Sequence, residues 1–452
     1  MACIAPLRGI RYNEKVIDRW ENIITPPYDV ISPQEREDFR KRSEYNFVHL
    51  DLPRDLGEST DGDAPYRKAA DLYKKWLNSG ILIQDLEPCF YYYELDFTLP
   101  HDAALHTRKG FICLLKLEEF FSGYVYPHER TFSRVKEDRL KLMQYCKAQF
   151  SPVFALYSDP DDYVTDLFEA SEKGEPLVRF RDVQGMNHRI WKLSDPGVLK
   201  RIGEFFRDRD IFIADGHHRY ETALAYRDLK RSELRNHNDP TMPHEYCLMY
   251  LSAMENPGLT ILPTHRMFVS FPVERWDYFL EKAGEFFEVE KVDCTDEGLE
   301  VVRQGLKEAL ADSRTAFGCA CRDRGSLALL MGRTESIFAY LRDSGVAPCF
   351  YDVDVVILDR LVFGELLELP VSLLEDERVL HFCRDIDEAF KSLQDGSYSA
   401  GFFINPTRIE QVCRVAKSGY TMPHKATYFH PKVVSGLVLF SMDESEKIAG
   451  FN

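Results

Sequence analysis

The hydrophobic pattern of the chain changes most clearly at one glycine. A short apolar run precedes this glycine, and apolar residues at helical spacing follow it. Residues 211–214 are strand formers and a small apolar residue, which predicts a short buried strand. Gly216 permits a sharp turn, and Tyr220, Ala223 and Leu224 then recur at helical spacing. We therefore predict a strand–turn–helix unit whose helix begins at about His217.

Further elements are predicted over the first 270 residues. Helical spacing of apolar residues predicts helices at 33–42 and 65–79, and a helix that opens near Lys136 and continues through Tyr145. Apolar alternation and aromatic-rich runs predict strands at 89–98, 109–117 and 246–254. We expect the first two of these strands to pair across a loop at residues 100–107.

From Phe271 onward, strands and helices alternate without dense polar blocks. Strands are predicted at 286–292, 315–321 and 327–331, and helices at 296–311 and 355–367. This pattern is typical of an accessory α/β lobe. The whole chain is thus predicted to be an α/β (α+β) protein with a core at 1–270, an accessory lobe at 271–395, and a C-terminal segment at 396–452 that returns to the active site.

Composition narrows the function classes. The 452 residues exceed one ordinary core and favour two or three lobes, and 44% hydrophobic residues suffice to bury them. The net charge of −17 argues against nonspecific binding to nucleic acid or to an anionic membrane. The N-terminus lacks a signal-peptide pattern and no long apolar run occurs, so we expect a cytoplasmic protein. The 11 cysteines are scattered, which indicates reduced core thiols.

The turn after the predicted strand carries the first candidate chemistry. Asp215 would lie near the helix N-cap, with His217, His218 and Arg219 in the first turn. Unpaired backbone N–H groups, the positive end of the helix dipole and the Arg219 cation would together favour a phosphate or another anion. Asp215 and His218 can converge, whereas adjacent histidines diverge by about 100°. The alternative is that Asp215 only caps the helix, His217 lies at the surface and Arg219 pairs with a carboxylate.

A second polar block follows Pro127. His128 or Glu129 could act as a general base. Cations in this block could neutralise phosphate oxygens; they are Arg130, Lys136 and Arg139, and Thr131 lies among them. The alternative is a solvated charged loop.

Shorter segments supply further candidates. Two prolines stiffen the loop that presents Tyr28 and Asp29, which suits a substrate site, although an ordinary proline turn is the alternative. His265 and Arg266 could bind an anion, or His265 could be a structural histidine bonded to the backbone. Lys425 could contact a nucleotide phosphate or be an exposed lysine. Two more substrate-site candidates follow an apolar strand: Asn405 and Thr407.

Familiar catalytic templates are missing from the sequence. It contains no Gly-x-x-x-x-Gly-Lys-Ser/Thr, Gly-x-Gly-x-x-Gly, His-Glu-x-x-His or Gly-x-Ser-x-Gly motif. P-loop, Rossmann, zincin and α/β-hydrolase chemistries therefore lose support. Residues 215–219 remain as the main candidate for an anion cradle.

Separate blocks along the chain resemble, in order, the bacterial and archaeal family catalogued as domain of unknown function 1015. They are residues 5–8, 25–32, 126–131 with 136–139, 150–154, 215–221, 256–266, 405–407 and 422–429. Residues 215–219 also resemble the Gly-x-His-Arg element of the ParB and sulfiredoxin superfamily, in which a strand–turn–helix cradles nucleotide phosphates. The resemblance implies a ParB/sulfiredoxin-like nucleotide-binding core with an accessory α/β lobe.

The resemblance also implies a reaction. One enzyme type in that superfamily phosphorylates free serine with an Asp-x-x-His pair at this turn, which Asp215 and His218 match. That type uses an upstream glutamate base, for which Glu129 is the candidate and Asp29 the reserve. The leading hypothesis is a phosphotransferase that uses ATP or ADP and Mg²⁺ to phosphorylate a small hydroxylated metabolite.

In this hypothesis each residue has a role. Arg219 and the turn, with Gly216 and His217, hold phosphate, while Asp215 positions Mg²⁺ or the nucleotide. His218 assists proton movement. The alternatives are a nucleotide-hydrolysing switch with a protein partner, and a non-enzymatic anion-binding protein. A homodimer is compatible with each of these hypotheses.

Overall fold

The computed structural model describes residues 2–53, 62–100, 102–129, 133–171, 174–233 and 239–450. The chain divides into two compact units, the first comprising residues 1–260 with 431–452 and the second residues 261–430. Helices and strands are mixed throughout, as the predicted α/β class requires. The three-part division into core, accessory lobe and C-terminal segment stays a prediction.

Within the described residues, the first unit contains seven α-helices and thirteen strands, twelve of them before residue 260 and the last at Phe440–Ser441. The strands are β1 (Ile4–Ala5), β2 (Ile10–Tyr12), β3 (Leu82–Gln84), β4 (Phe90–Leu99), β5 (Asp102–Lys116), β6 (Val125–Tyr126), β7 (Ala148–Gln149), β8 (Val153–Tyr157), β9 (Val178–Arg181), β10 (Asn187–Leu193), β11 (Ile211–Asp215) and β12 (Tyr246–Ala253). The helices are α1 (Pro33–Arg42), α2 (Val48–Asp51), α3 (Ala64–Asn78), α4 (Ser133–Cys146), α5 (Tyr163–Ala170), α6 (Pro196–Phe206) and α7 (His217–Glu233).

A nine-stranded mixed sheet organises the first unit. Its main path runs β6-β11-β8-β12-β5-β4-β10-β9, and β1 pairs with β5. Strand β11 lies between β6, which is parallel to it, and β8, which is antiparallel. All five residues of β11 are buried, and those of β8 and β12 are buried as well. The sheet therefore holds the end of β11, and the turn that follows it, in a fixed place.

The last residues of the chain return to this unit. Phe440–Ser441 pairs with β7, and the backbones of Ser435 and Leu439 bond to those of Thr25 and Ile10. This return places Lys432 beside β11, as described below.

The predicted loop at residues 100–107 is wrong. Strand β5 already begins at Asp102, and Thr107 and Arg108 lie opposite Asp96 and Leu95 of β4. Polar side chains in this stretch find partners across the sheet, since the Thr107 hydroxyl donates to Asp96 Oδ1 at 2.8 Å. Cross-strand hydrogen bonds of this kind allow the polar segment to continue the strand. The composition of the segment alone does not indicate a strand.

The second unit is built on a six-stranded antiparallel sheet in the order β15-β17-β16-β19-β14-β18. Its strands are β14 (His265–Phe268), β15 (Phe287–Asp293), β16 (Ala316–Cys321), β17 (Ser326–Gly332), β18 (Leu380–Cys383), β19 (Ala400–Ile404) and β20 (Phe429–His430), and β13 (Thr260–Ile261) spans the boundary between the units. Its helices are α8 (Trp276–Ala283), α9 (Asp296–Ala311), α10 (Thr334–Asp343), α11 (Asp354–Ile357), α12 (Val371–Leu374), α13 (Ile386–Gln394) and α14 (Ile409–Lys417).

Both faces of this second sheet are covered. Alternate residues of β16 divide between two apolar clusters, with Phe317 in one and Ala320 in the other, as the period of a strand requires. One cluster contains residues of α9 and α13, and the other contains residues of α8, of α11 and of the π-helix Leu358–Leu366 that continues it. The predicted strands and helices of this region are confirmed.

Two further expectations concern the chain as a whole. All eleven cysteines are free thiols, as predicted, but only six of them are buried in the core and the other five are partly exposed. Among the helices of the described residues, none combines the length and the apolarity that a membrane crossing requires.

Candidate active site

The predicted strand–turn–helix is confirmed. Strand β11 ends at Asp215, Gly216 adopts φ +92°, and α7 begins at His217. The first backbone bond of the helix runs from the Tyr220 N–H to the Gly216 carbonyl at 3.1 Å. A Cβ at position 216 would lie 2.8 Å from Arg219 Nε. Both the left-handed backbone and the closeness of the guanidinium therefore require glycine here.

Asp215 is buried and holds two cations. Its Oδ2 accepts from Arg219 Nη2 at 2.6 Å, and its Oδ1 accepts from Lys432 Nζ. Burial by itself would raise the pKa of Asp215, but the Lys432 and Arg219 charges outweigh burial and lower it. The carboxylate therefore stays ionised at neutral pH and fixes the two cations.

Arg219 is held from two sides. Its Nη1 donates to the Pro152 carbonyl, and its Nη2 is the one bound to Asp215. The arginine thus has the carboxylate partner that the alternative interpretation named, and it also lines a pocket described below. Its phosphate-binding role stays a prediction.

The predicted Mg²⁺ role of Asp215 does not fit this arrangement. Each of its oxygens faces a cation, and a metal ion there would meet both positive charges. In the described ranges, no group of three or more His, Cys, Asp or Glu side chains could hold a metal. No step of the reaction proposed below is assigned to Mg²⁺.

The two neighbouring histidines of the turn have different surroundings, as predicted. His217 is 2% exposed, so the alternative that placed it at the surface is wrong. Its Nε2 accepts from the His128 backbone N–H at 3.1 Å, which assigns the ring proton to Nδ1. Nδ1 lies 3.6 Å from Glu129 Oε2. His217 therefore presents a neutral N–H toward the Glu129 carboxylate.

His128 is buried against the same carboxylate. Its Nδ1 donates to the Ile213 carbonyl of β11 at 2.7 Å, and its Nε2 lies 4.0 Å from Glu129 Oε1. Its ring meets that of His217 edge-on, with centroids 4.6 Å apart. Burial lowers the pKa of His128 to about 4 and the pKa of His217 well below its usual value. Both rings are therefore neutral at pH 7, and they flank a Glu129 side chain that is 39% exposed.

His218 lies among charges from three distant parts of the chain, which we call the His218 cluster: Asp29, Glu129, Lys136, His218 and Glu221. Burial lowers the pKa of His218, while the Glu221, Asp29 and Glu129 charges oppose that shift. Lys136 Nζ is paired with Glu221 Oε2. The structure therefore brings together charged residues from the Pro-rich loop, the block after Pro127 and α7.

A pocket of about 460 Å³, its open mouth included, lies beside α7 in the first unit. We call it the Tyr28 pocket. Its polar lining consists of Tyr28, Asp51, Arg139, Gln149, Ser151, Arg219 and Thr222, and its apolar lining of Leu142, Met143, Ala148, Phe150 and Val153. A half-open cleft with an apolar wall and a few polar groups is a common form of small-molecule site.

Arg139 is fixed at the wall of this pocket. Its Nη1 donates to the Asp51 carbonyl at 2.7 Å and to Asp51 Oδ1 at 3.1 Å, and its Nη2 donates to Asp138 at 2.6 Å. The guanidinium carbon lies 4.3 Å from the centre of the Tyr28 ring. The second oxygen of Asp51, Oδ2, has no hydrogen-bond partner within the described part of the chain.

Asp51 and Lys432 were not predicted from the sequence. Asp51 ends α2 in an ordinary apolar stretch, and Lys432 follows one of the blocks that resemble the family without lying in it. Their proximity to Arg139 and Asp215 depends on contacts between distant segments, so no local signal marks them. Thr131 and Arg130, which were predicted, lie outside the described residues.

The remaining predicted residues belong to the second unit. His265 Nδ1 accepts from the Ile404 N–H at 3.2 Å, and burial lowers its pKa to about 3, which favours the structural alternative. Arg266 bonds to the Thr264 carbonyl and hydroxyl. The Lys425 carbonyl accepts from the Thr264 hydroxyl at 2.6 Å.

Asn405 and Thr407 also bond within the second unit. Asn405 Nδ2 donates to the Leu306 carbonyl at 2.8 Å, and the Thr407 hydroxyl to the Ala426 carbonyl at 2.7 Å. Both line a second pocket of about 300 Å³. Their substrate-binding role, like the phosphate-binding role of Lys425, stays a prediction.

Solved structures show distant similarity to this chain. A conserved hypothetical protein from Pyrococcus furiosus shares 12% identity, with 71% of this chain and 93% of that chain covered, at a TM-score of 0.32. A free serine kinase mutant in complex with ADP shares 12% identity over 72% and 87% of the two chains at 0.31. SbnI with a C-terminal truncation, from Staphylococcus aureus, shares 9% identity over 74% and 90% at 0.33. Scores this low establish neither the fold nor the activity of this chain.

Sequence comparison gives a firmer result. No curated protein matches the chain. A family model described as "Protein of unknown function (DUF1015)" matches residues 4–355, which is well over half of the chain. The chain therefore belongs to the DUF1015 family.

Proposed function

We propose that this protein is a nucleotide-dependent phosphotransferase that acts on a small hydroxylated metabolite, with free serine as the most specific candidate. One observation carries the proposal. Segments near Tyr28, Glu129 and Arg219, which are far apart in the sequence, meet at the N-terminus of α7. There Arg219 lines the Tyr28 pocket and also interacts with the charge of Asp29, a member of the His218 cluster. Phosphoryl transfer depends on such positioning and charge neutralisation more than on covalent chemistry by the protein.

The nucleotide phosphates would bind at the first turn of α7. The N–H groups of a first helical turn have no acceptor inside the helix and point along the positive end of its dipole. Arg219 adds a fixed planar cation, because Asp215 and the Pro152 carbonyl engage only part of its N–H groups. Asp215 would act indirectly, by holding Arg219 and Lys432 in place.

The acceptor hydroxyl would lose its proton to Glu129. As the hydroxyl oxygen bonds to the terminal phosphorus of the nucleotide, the bond from that phosphorus to the bridging oxygen breaks, the shortened nucleotide leaves, and the proton of the hydroxyl passes to the carboxylate. Neutral His128 and His217 flank Glu129 on the buried side, at 4.0 and 3.6 Å from its carboxylate oxygens. His218, whose pKa is lowered by burial, is neutral at pH 7 and could take the proton onward.

Three parts of the hypothesis are not supported by this geometry. They are the identity of the nucleotide as ATP or ADP, the participation of Mg²⁺, and the contact of Lys425 with phosphate. Mg²⁺ would partly neutralise the phosphate charge when bound with a nucleotide. The geometry supports the proposal through the residues of the first unit alone.

The direct test is a product screen. The protein is incubated with ATP or with ADP, Mg²⁺ and a pool of hydroxylated metabolites that includes serine, and phosphorylated products are identified by mass spectrometry. A new phosphorylated metabolite is the expected result. Loss of nucleotide without a product would instead indicate the nucleotide-hydrolysing switch, and failure to bind any nucleotide would overturn both functions.

A further inference from the structure

The Tyr28 pocket contains one polar group whose bonding is incomplete. Asp51 is 4% exposed, and its Oδ1 is bound by Arg139 Nη1 at 3.1 Å. Its Oδ2 has no partner within the ranges that the structure describes. A buried carboxylate oxygen without a donor costs free energy, so a pocket lined by this residue is arranged for an occupant that donates a hydrogen bond.

The surroundings limit what that donor can be. Arg139 and Arg219 both line the pocket with Asp51, so a small ammonium ion would enter beside two fixed positive charges. A neutral donor avoids that repulsion. The apolar wall of the pocket and the ring of Tyr28 suit a flat heterocycle.

We propose that the Tyr28 pocket binds the nucleobase, and that Asp51 Oδ2 accepts a hydrogen bond from an exocyclic amino group of that base. This inference rests on the proposed nucleotide-dependent function and assigns the base subsite within it. Because Oδ1 is engaged by Arg139, only one oxygen is available, which suits the single amino donor of adenine or cytosine. A base with a carbonyl in place of the amino group would set its carbonyl oxygen against Asp51 Oδ2, and both of these atoms are hydrogen-bond acceptors.

Arg139 has a positioning role in this subsite. It bonds to the Asp51 carbonyl and carboxylate and lies over the Tyr28 ring, so it sets the direction of the free oxygen and one wall of the pocket. Burial raises the pKa of Asp51, and the Arg139 and Arg219 charges oppose that rise. The net shift of this pKa is upward, although the two arginines favour the ionised, acceptor-only form of Asp51.

Two matched nucleotide pairs test the inference by calorimetric titration. ATP and ITP differ by an amino group against a carbonyl, and CTP and UTP differ in the same way. For the pair that binds more tightly, we expect the amino-bearing member to be favoured on the order of tenfold or more, the usual effect of one hydrogen bond to a charged group. Equal affinities within both pairs in the wild-type protein would overturn the inference, and this measurement needs no variant.

The Asp51→Asn substitution sharpens the test. Its amide oxygen would keep the bond from Arg139, which leaves an N–H donor where Oδ2 was. We expect the preference for the amino-bearing nucleotide to disappear or reverse. Asp138→Asn is the matched control, since it also removes a carboxylate from Arg139 but does not line the pocket, and it should keep the wild-type preference.

The outcomes separate the two proposals. If nucleotides bind and Asp51→Asn leaves the ratio within each pair unchanged, the base subsite is wrong while the phosphotransferase proposal stands. A change in the KM of the hydroxylated substrate, with the nucleotide ratio unchanged, would likewise overturn it and assign Asp51 to the acceptor. If the wild-type protein binds none of the four nucleotides, the proposed function itself fails.

Discussion

Of the three His-Arg pairs in the chain, His218-Arg219 and His265-Arg266 differ sharply in the charges that surround them. His218 and Arg219 lie in the first turn of α7, and carboxylates act on both: the Asp215 and Asp29 charges raise the pKa of Arg219 despite its burial. His265 and Arg266 lie in β14, where burial lowers the pKa of both residues. Arg266 bonds to backbone and hydroxyl oxygens and lies 5.4 Å from the Phe382 ring centre.

The comparison shows why residue type alone is a poor guide to function. A cation beside several carboxylates keeps its charge and can hold an anion at a pocket, whereas a cation enclosed by carbonyls and an aromatic ring serves the core. The first pair lies beside the Tyr28 pocket and the His218 cluster. The second pair belongs to the interior of the second unit. The predictions below assign catalysis and ligand binding to the first pair and stability to the second.

The largest expected effect is on turnover. Glu129→Gln removes the proposed base while keeping the size of the side chain, so we expect the rate of product formation to fall by about 10²- to 10⁴-fold. The rate is measured on the product found in the metabolite screen. Glu137→Gln, an exposed position on α4, is the matched control and should keep the wild-type rate; equal rates for both variants would remove Glu129 from the mechanism.

The second effect is on stability. Asp215→Asn leaves Arg219 and Lys432 without their shared carboxylate, so we expect the free energy of unfolding to fall by about 3–5 kcal/mol in urea titrations. Asp359, in the second unit, has a pKa raised by burial to about 6, so Asp359→Asn at pH 5 replaces a mostly neutral group and should cost much less. Similar losses for the two variants would contradict the view that Asp215, unlike Asp359, is ionised in the folded protein.

The third effect separates the two arginines. Arg219→Lys removes a planar guanidinium from the proposed phosphate site, so we expect the Kd for the nucleotide to rise by about 10- to 100-fold. Arg266→Lys should lower stability and leave the Kd near its wild-type value. Calorimetric titration measures both, and a Kd that responds to Arg266→Lys but not to Arg219→Lys would reverse the comparison.

The smallest effect is a pH dependence of opposite sign in the two units. Burial raises the pKa of Asp354 from 3.8 to about 7, so its stabilising contribution is present below pH 3.8 and is lost as the pH rises toward 7. The pKa of Asp215 is lowered below 3.8, so its contribution is present above pH 3.8 and is lost only in more acidic solution.

Urea titrations from pH 4 to pH 8 check these signs. The unfolding free energy of the wild type, relative to that of Asp354→Asn, should fall as the pH rises. The difference between wild type and Asp215→Asn should stay nearly constant over the same range. A constant difference for Asp354→Asn would show that this carboxyl titrates normally in the fold.

Local pattern predicted much of the secondary structure. The bounds of α1 and α9 match their predicted ranges, Pro33–Arg42 and Asp296–Ala311, because capping residues and apolar spacing are local signals. The start of β5 was missed, since its polar residues are stabilised by partners on β4. The local sequence of a strand does not reveal which residues of another strand will pair with it.

The site was predictable only in part, for the same reason. Asp215, His217 and Arg219 are adjacent on one turn and could be recognised together. Their decisive partners are remote: Lys432 is 217 residues from Asp215, and Asp51 is 88 residues from Arg139. Sequence reasoning therefore selected Lys425 and Asn405, which lie in recognisable blocks, but not the lysine and the aspartate that complete the charge pattern of the first unit.

Amide hydrogen exchange with and without ATP tests the central claim most directly, because it locates the bound nucleotide along the chain. The account predicts that ATP slows exchange at residues 215–222 and in the segments that line the Tyr28 pocket, near Tyr28, Asp51 and Arg139 to Val153. Protection confined to residues 261–430, or no protection at any concentration of ATP, would contradict it.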